Sequence, residues 1–252
     1  MSDISLTIVV PALLAGLLVA ATHVPLGMQV LARGIVFIDI AIAQIAGVGV
    51  LLADFVGFEP AGMAVQASAL SAALLGALLL TWTERKWPDV QEAIIGVVFI
   101  LAASAEILLL AGNPHGGEHL KDLLVGQILW VSTHQIVVVA ILTAVVLAVW
   151  FGWSATIGRI GFYLLFGLSV TASVQLVGVY LVFATLIIPA LATRHAARAR
   201  LPKAYCVAAL GYAIGLFLSA WLDLPSGAVV VWTLAVVGVV FFSLERGART
   251  PA

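Results

Sequence analysis

The sequence predicts an all-α polytopic integral membrane protein, with about nine transmembrane helices in a single domain spanning residues 1–252. Hydrophobic residues make up 63% of the chain and charged residues 9%, whereas a soluble domain is about half apolar and about a quarter charged. The apolar residues are grouped into runs long enough to cross a bilayer as helices. The net charge of −1 provides no basic surface for nucleic acid.

Nine apolar runs are candidate spans. They cover about residues 6–30, 35–53, 61–82, 92–111, 134–152, 161–178, 180–194, 204–221 and 226–243. The boundary at Gly178 is the weakest, because residues 161–194 are almost continuously apolar. A further apolar run, 120–130, is too short to span and predicts an interfacial or re-entrant helix. The first run lacks a basic n-region, so we expect a retained helix rather than a signal peptide.

The basic residues predict the orientation. If the N-terminus lies outside and the chain alternates, the C-terminus is cytoplasmic and ten of the eleven basic residues face the cytoplasm. The ten are Arg33, Arg85, Lys86, Arg159, Arg194, Arg198, Arg200, Lys203, Arg246 and Arg249. Only Lys121 falls outside, where several acids give a mildly acidic face that suits a cation.

Three polar residues inside predicted spans are the candidate metal ligands within the bundle. Asp39 lies in the segment RGIVFIDIAIAQIAGVGVLL, Glu106 in LAASAEILLLA and His23 in THVPLG. A carboxylate at membrane depth costs about 2.5–3.5 kcal/mol on insertion scales, so it indicates a functional role by default. Carboxylate and imidazole groups bind hard or borderline divalent cations. The alternative is that each residue is simply hydrogen-bonded within the bundle.

The outer loop NPHGGEHLKD contains a second set of candidate ligands, His115, Glu118 and His119. Their spacing matches H-x-x-E-H, a zinc-peptidase pattern that requires both histidines on one helical face. The Asn-Pro and Gly-Gly pairs in the same stretch favour a flexible loop. Weak metal capture at the outer mouth and a merely solvated loop are both more consistent with that composition than peptidase chemistry.

Five segments carry patterns that occur together in one known family. In chain order they are PLGMQVLARGIVFIDIAIAQIAGVG, EAIIGVVFILAASAEILLL, DLLVGQILWVS, VQLVGVYLVFATLIIPALATR and LSAWLDLPSGAVVVW. The last resembles L-S-Y-x-L-D-L-P-S-G, and the third resembles D-L-x-x-x-L-F-G-x-I-L. Their collinear order resembles the permease subunit of zinc, manganese or iron ATP-binding-cassette importers.

This resemblance implies a type II ABC-importer-like permease bundle in a bacterial-type cytoplasmic (inner) membrane. It also implies a second copy of the chain, a separate cytoplasmic ATPase and an extracytoplasmic metal-binding solute protein as partners, with the lipid bilayer around the bundle. The transported divalent metal is then the cargo, ATP is bound by the partner subunit, and no cofactor belongs to this chain. The sequence has no GxxxxGK[ST] phosphate loop, so we expect a transport subunit rather than an enzyme.

The chain departs from the family pattern at two places. In the second helix the family commonly carries an Asp followed four residues later by a His, whereas here that position is Ala43 and the next is Gln44. Five residues of helix turn by about 500°, so Gln44 is predicted to point about 140° away from Asp39. Any further ligands for a metal at Asp39 would come from other helices, with His23 and Glu106 the first candidates.

The second departure is on the cytoplasmic side, where FGWSATIGRIGFY replaces the family's acidic coupling segment. Two other functions remain open from the residues alone. A secondary cation transporter coupled to protons or sodium would use the same buried acids as a proton relay. A membrane enzyme would depend on the outer His-Glu-His loop alone.

Overall fold

The computed structural model describes residues 4–58, 62–110, 124, 126, 128–153, 157–196 and 198–247. This part of the chain forms nine α-helices and two short 3-10 turns, Pro88–Val90 and Ile128–Trp130. The helices are α1 (Ile4–Arg33), α2 (Ile38–Phe55), α3 (Met63–Lys86), α4 (Gln91–Leu110), α5 (Thr133–Gly152), α6 (Gly158–Val177), α7 (Val179–Ala192), α8 (Arg200–Leu222) and α9 (Ser226–Gly247).

Each of these nine helices lies at one of the nine predicted spans, which confirms the predicted all-α bundle. Eight are long and apolar enough to cross a membrane, and α7 is a shorter apolar helix of 14 residues. The helix bounds follow local signals in the sequence. At the start of α5, the Ser132 hydroxyl accepts a hydrogen bond from the Gln135 backbone N–H, and the Gln135 side chain accepts one from the Ser132 backbone N–H, which is a capping box.

Gly178 separates α6 from α7. Its φ of 82° lies in the left-handed region that favours glycine, so the helix ends there and α7 starts at the next residue. The weakest predicted boundary is therefore a real break. Gly126 packs directly on it, because a Cβ at Gly126 would lie 2.2 Å from the Val177 carbonyl carbon.

The run 120–130 is only partly described. Within it, Ile128–Trp130 forms a 3-10 turn and the Ile128 side chain is buried. That turn contacts α1 and α9. The described part of this segment thus lies against the bundle at the α6–α7 break, which agrees with a re-entrant segment better than with an interfacial one.

The bundle places α1 and α2 at its centre. Helix α1 packs on α7 and α8, with Gly27 against the Leu186 carbonyl and Gly16 against the Tyr212 ring. Helix α2 packs on α3, α4 and α6. Small residues at these contacts let helix backbones approach closely, as is typical of membrane bundles. Large apolar side chains on α4 and α5 face outward, as a lipid-exposed surface requires.

An ion-pair cluster joins three helices at the end of the bundle where α1 finishes. The Glu84 carboxylate at the end of α3 lies 3.8 Å from an Arg33 guanidinium nitrogen and 3.4 Å from the Arg159 Nε at the start of α6. Lys203 at the start of α8 pairs with Glu245 near the end of α9. The Glu84–Arg159 and Lys203–Glu245 pairs each join the end of one helix to the start of another, and the Glu84–Arg33 pair joins the ends of α1 and α3, as an alternating chain requires.

Candidate functional site

Asp39 is the second residue of α2 and its side chain is only 1% exposed. The carboxylate is therefore at one end of the helix, near Arg33 in the chain, rather than deep within the span as the sequence predicts. The backbone N–H groups of Asp39 and Ile40 lie near it, but within the described part of the chain neither oxygen forms a hydrogen bond of normal geometry. The positive end of the helix dipole favours negative charge at this position.

A second acid, Glu92 at the start of α4, lies close to Asp39 and was missed by the sequence reasoning. The Phe37 backbone N–H, just before α2, donates to Glu92 Oε1 at 3.2 Å. The other oxygen, Oε2, is buried and has no hydrogen-bond partner in the described ranges. Because Phe37 is only two residues before Asp39, this hydrogen bond places the Glu92 carboxylate at the same end of α2 as Asp39. Together they form an acidic pair at the Arg33 end of the bundle, contributed by two helices.

Glu106 lies in the last two turns of α4 and is also only 1% exposed. Neither carboxylate oxygen has a hydrogen-bond partner among the residues that the structure describes. Its Oε1 atom lies directly over Gly47 of α2, where a Cβ would be only 1.9 Å away. The absence of a side chain at Gly47 is therefore what allows the carboxylate to reach the α2 backbone.

A small cavity of about 20 Å³ adjoins Glu106. Four polar side chains line it, from three helices: Gln44 on α2, Glu106 on α4, and Thr171 and Gln175 on α6. The Thr171 hydroxyl donates to the Gly167 carbonyl at 2.7 Å, so its oxygen lone pairs remain available. A cavity of this size holds about one water molecule or one ion.

Gln44 and Asp39 take part in different sites. Gln44 lines the Glu106 cavity and Asp39 does not, which agrees with the predicted rotation between them. Gly47 is eight residues beyond Asp39, so at 1.5 Å per residue Glu106 meets α2 about 12 Å further along the axis. The two buried acids therefore mark two levels of one central helix.

His23 does not join either acid. Its Nδ1 lies 2.9 Å from the Val19 carbonyl and 3.0 Å from the Thr22 hydroxyl, and its Nε2 is buried without a hydrogen-bond partner from any residue that the structure describes. Among the described residues, no group of three or more His, Cys, Asp and Glu side chains is placed to hold a metal. The structure thus does not bring His23, Asp39 and Glu106 together as one ligand set.

The residues of the predicted outer metal site, His115, Glu118 and His119, lie outside the described part of the chain. Their role as metal ligands stays a prediction.

An apolar groove runs beside the Glu106 cavity, between α2, α4, α7 and α9. It has a volume of about 760 Å³, and its lining includes Gln44, Phe99, Phe183 and Trp232. The rings of Phe37 and Phe183 stack with their centroids 6.2 Å apart, close to the Asp39 end of α2. Gln44 is the polar residue that lines both the groove and the small cavity.

Comparison with known proteins identifies the family. The family model described as the ABC 3 transport family matches residues 5–155 and 148–245. The chain belongs to this family. The resemblance carried by the five collinear segments is thereby confirmed, since the family model is that of an ABC transport family and the relatives are named as membrane proteins of manganese and iron transport systems.

Two curated relatives cover most of the ABC 3 chain. The Manganese transport system membrane protein MntC of Halalkalibacterium halodurans is 25% identical over 95% of this chain and 88% of its own length. The Chelated iron transport system membrane protein YfeC of Yersinia pestis is 28% identical over 74% of this chain and 71% of its own length.

Two solved structures share the fold of this ABC 3 protein. PsaBC from Streptococcus pneumoniae in complex with Fab superimposes with a TM-score of 0.74 and 21% identity, covering 92% of this chain and 90% of that chain. An inward-facing conformation of a metal-chelate type ABC transporter gives a TM-score of 0.68 and 17% identity, covering 95% of this chain and 85% of that chain. These likenesses confirm the predicted ABC-permease bundle.

Proposed function

We propose that this chain is the membrane permease subunit of an ATP-binding-cassette transporter that moves a divalent metal cation into the cytoplasm. Family membership supports the permease role, and relatives named for manganese and iron transport support a metal cargo. A separate ATPase subunit supplies the energy, a second copy of the chain completes the pathway, and an extracytoplasmic solute-binding protein delivers the metal.

The observation that carries the proposal is the pair of carboxylate sites at two levels of α2. Asp39 with Glu92 lies at the Arg33 end, and Glu106 lies about 12 Å further along. An unpaired buried carboxylate is costly, and a passing cation offsets that cost. Two such sites, each too weak to trap the ion, suit stepwise passage through a bundle.

The proposed orientation determines which of the two sites an imported metal meets first. With the N-terminus outside, Glu106 is near the outer face and the Asp39–Glu92 pair is near the cytoplasm. Metal entering from the solute-binding protein meets Glu106 first. ATPase closure moves the helix ends at the cytoplasmic face, and the bundle opens to one side at a time.

Metal accumulation in cells with and without this chain tests the function. Cells are supplied in separate assays with radioactive manganese, iron or zinc at trace concentration. We expect uptake of at least one of these metals to depend on the chain and on a partner ATPase. Equal accumulation of all three metals with and without the chain would contradict a role in metal import.

A further inference from the structure

A second apolar groove lies where α7 and α9 run side by side, at the end of the bundle where α8 begins. It has a volume of about 420 Å³. Aliphatic side chains line its length, and Arg194, just after α7, lines one end together with the ring of Phe242 on α9. We call it the α7–α9 groove. Its lining includes Ile188 and Leu191 of α7 and Gly238 and Val239 of α9.

The α7–α9 groove continues towards the middle of the bundle. Ile188 also lines the larger groove beside Glu106, so the two grooves adjoin. Trp232, in the lining of the larger groove, lies ten residues before Phe242, which corresponds to about 15 Å of helix. The hydrocarbon core of a bilayer is about 30 Å thick. The continuous apolar surface therefore reaches from the helix ends to about the middle of the bilayer, which is the depth of an acyl chain of one leaflet.

Two nitrogen-bearing side chains stand by the Phe242 ring at the end of the α7–α9 groove. The guanidinium carbon of Arg194 lies 5.6 Å from the ring centroid, and the His195 ring centroid lies 5.8 Å from it. The Arg194 Nε donates to His195 Nε2 at 3.0 Å, so the His195 proton is on Nδ1.

The remaining N–H groups of this pair are free to bind an anion. The terminal guanidinium nitrogens of Arg194 and the Nδ1 of His195 form no hydrogen bond with any residue that the structure describes. Both side chains are exposed. Several N–H donors thus lie together at the end of an apolar groove, and charge-assisted donors of this kind bind phosphate oxygens.

We propose that the α7–α9 groove binds an anionic phospholipid, with one acyl chain along α7 and α9 and the phosphate on Arg194 and His195. Arg198 is exposed and, within the described ranges, forms no ion pair, so it adds positive charge to the same loop. Basic pockets between membrane helices bind anionic lipid headgroups in this way. The site goes beyond the proposed function, because the lipid is a bound partner and not a cargo.

The charges favour a lipid over a second copy of the chain in this groove. A twofold contact centred on the groove would bring each residue towards its own counterpart, and two copies of the Arg194 guanidinium would then repel each other. No Asp or Glu is among the described residues that line the groove and could offset that repulsion. A phospholipid instead supplies an apolar chain for the groove and a negative charge for its basic end.

Native mass spectrometry tests the proposal by counting the lipids bound to the full-length chain, purified in detergent with its proposed partner subunits. The probes are dioleoyl phosphatidylglycerol, which is anionic, dioleoyl phosphatidylcholine, which has the same chains and no net charge, and inorganic phosphate. We expect phosphatidylglycerol to bind about tenfold more tightly than phosphatidylcholine. Arg194→Gln should lower phosphatidylglycerol affinity by about tenfold and leave phosphatidylcholine unchanged. Val239→Trp places a large ring in the groove and should weaken both lipids.

Two matched controls separate this site from general attraction to the bundle. Arg85→Gln removes an exposed charge at the end of α3 that does not line the groove. Val240→Trp changes the neighbouring residue of α9, which is also exposed and does not line the groove. Both controls should bind phosphatidylglycerol as the unaltered chain does.

Three results would overturn the proposal. The first is an equal loss of phosphatidylglycerol in Arg194→Gln and Arg85→Gln, which would indicate unspecific charge attraction. The second is inorganic phosphate binding as tightly as phosphatidylglycerol, which would indicate an anion site without a lipid chain. The third is normal lipid binding by Val239→Trp; if that variant also lost the second copy of the chain, the groove would be a contact between subunits.

Discussion

Replacing Gly47 by Ala should move the Glu106 carboxylate out of its place. The new Cβ would lie 1.9 Å from Glu106 Oε1, whereas a carbon–oxygen contact normally needs about 3.3 Å. The oxygen must therefore retreat by about 1.4 Å. Because it is the end of a flexible side chain, the helices need not separate. The fold should tolerate the change, and Ala in a helix even gains up to about 1 kcal/mol over Gly.

Transport should respond more strongly than stability. Losing a charge-assisted contact removes about 1.5–3 kcal/mol, or roughly tenfold or more in affinity for an ion beside Glu106. The assay is initial Mn²⁺ uptake by cells, normalised to the amount of protein in the membrane. We expect Gly47→Ala to reach the membrane at the normal level and to take up Mn²⁺ at about a tenth of the normal rate at limiting metal.

Gly49→Ala is the matched control for this experiment. A Cβ at Gly49 would lie 2.8 Å from the Ser68 carbonyl and 2.8 Å from the Ala72 Cβ on α3. Here the backbones of α2 and α3 must separate, at a cost of about 1–3 kcal/mol, so the amount of folded protein should fall. Normal uptake by Gly47→Ala would refute the assignment of a transport role to the position of Glu106.

Two further predictions concern the acids at the Arg33 end and the proline Pro25 inside α1. Asp39→Asn should abolish metal uptake with normal membrane expression, and Glu92→Gln should reduce it, because both acids lie at the same point of the proposed pathway. Normal uptake by Asp39→Asn would show that Asp39 does not belong to that pathway. Pro25 lacks the N–H that would bond to the Ala21 carbonyl, and the Tyr205 hydroxyl donates to that oxygen at 2.8 Å. Tyr205→Phe should therefore lower the free energy of unfolding in detergent by about 1–2 kcal/mol. In a chain that also carries Pro25→Ala, the N–H restored at position 25 can bond to the Ala21 carbonyl, so Tyr205→Phe should cost much less. Equal losses in the two backgrounds would show that the hydroxyl acts elsewhere.

The number and positions of the spans could be predicted from the sequence, because a bilayer demands long apolar helices and excludes other structure. The run predicted at 134–152 is the helix Thr133–Gly152, and the weak boundary at Gly178 is a true helix break. The different directions in which Asp39 and Gln44 point around α2 could also be predicted, since they depend only on the turn per residue of one helix.

The site could be predicted only in part, because its contacts join residues distant in sequence. Glu106 and Gln44 were visible as polar residues in apolar runs, but their meeting depends on how α4 packs over Gly47. Glu92 stands at the edge of its apolar run, where a charged residue usually faces water. Its nearness to Asp39 arises from the turn between α1 and α2, which places the Phe37 backbone N–H beside it.

A measurement of which energy source drives metal uptake tests the central claim most directly. Uptake of radioactive Mn²⁺ is measured in cells that express this chain with the proposed partner ATPase, once with ATP depleted and once with an uncoupler present while ATP is held constant. A permease of an ATP-driven importer predicts that uptake stops on ATP depletion and continues with the uncoupler. Uptake that collapses with the uncoupler at constant ATP would contradict the account and indicate a proton-coupled secondary transporter.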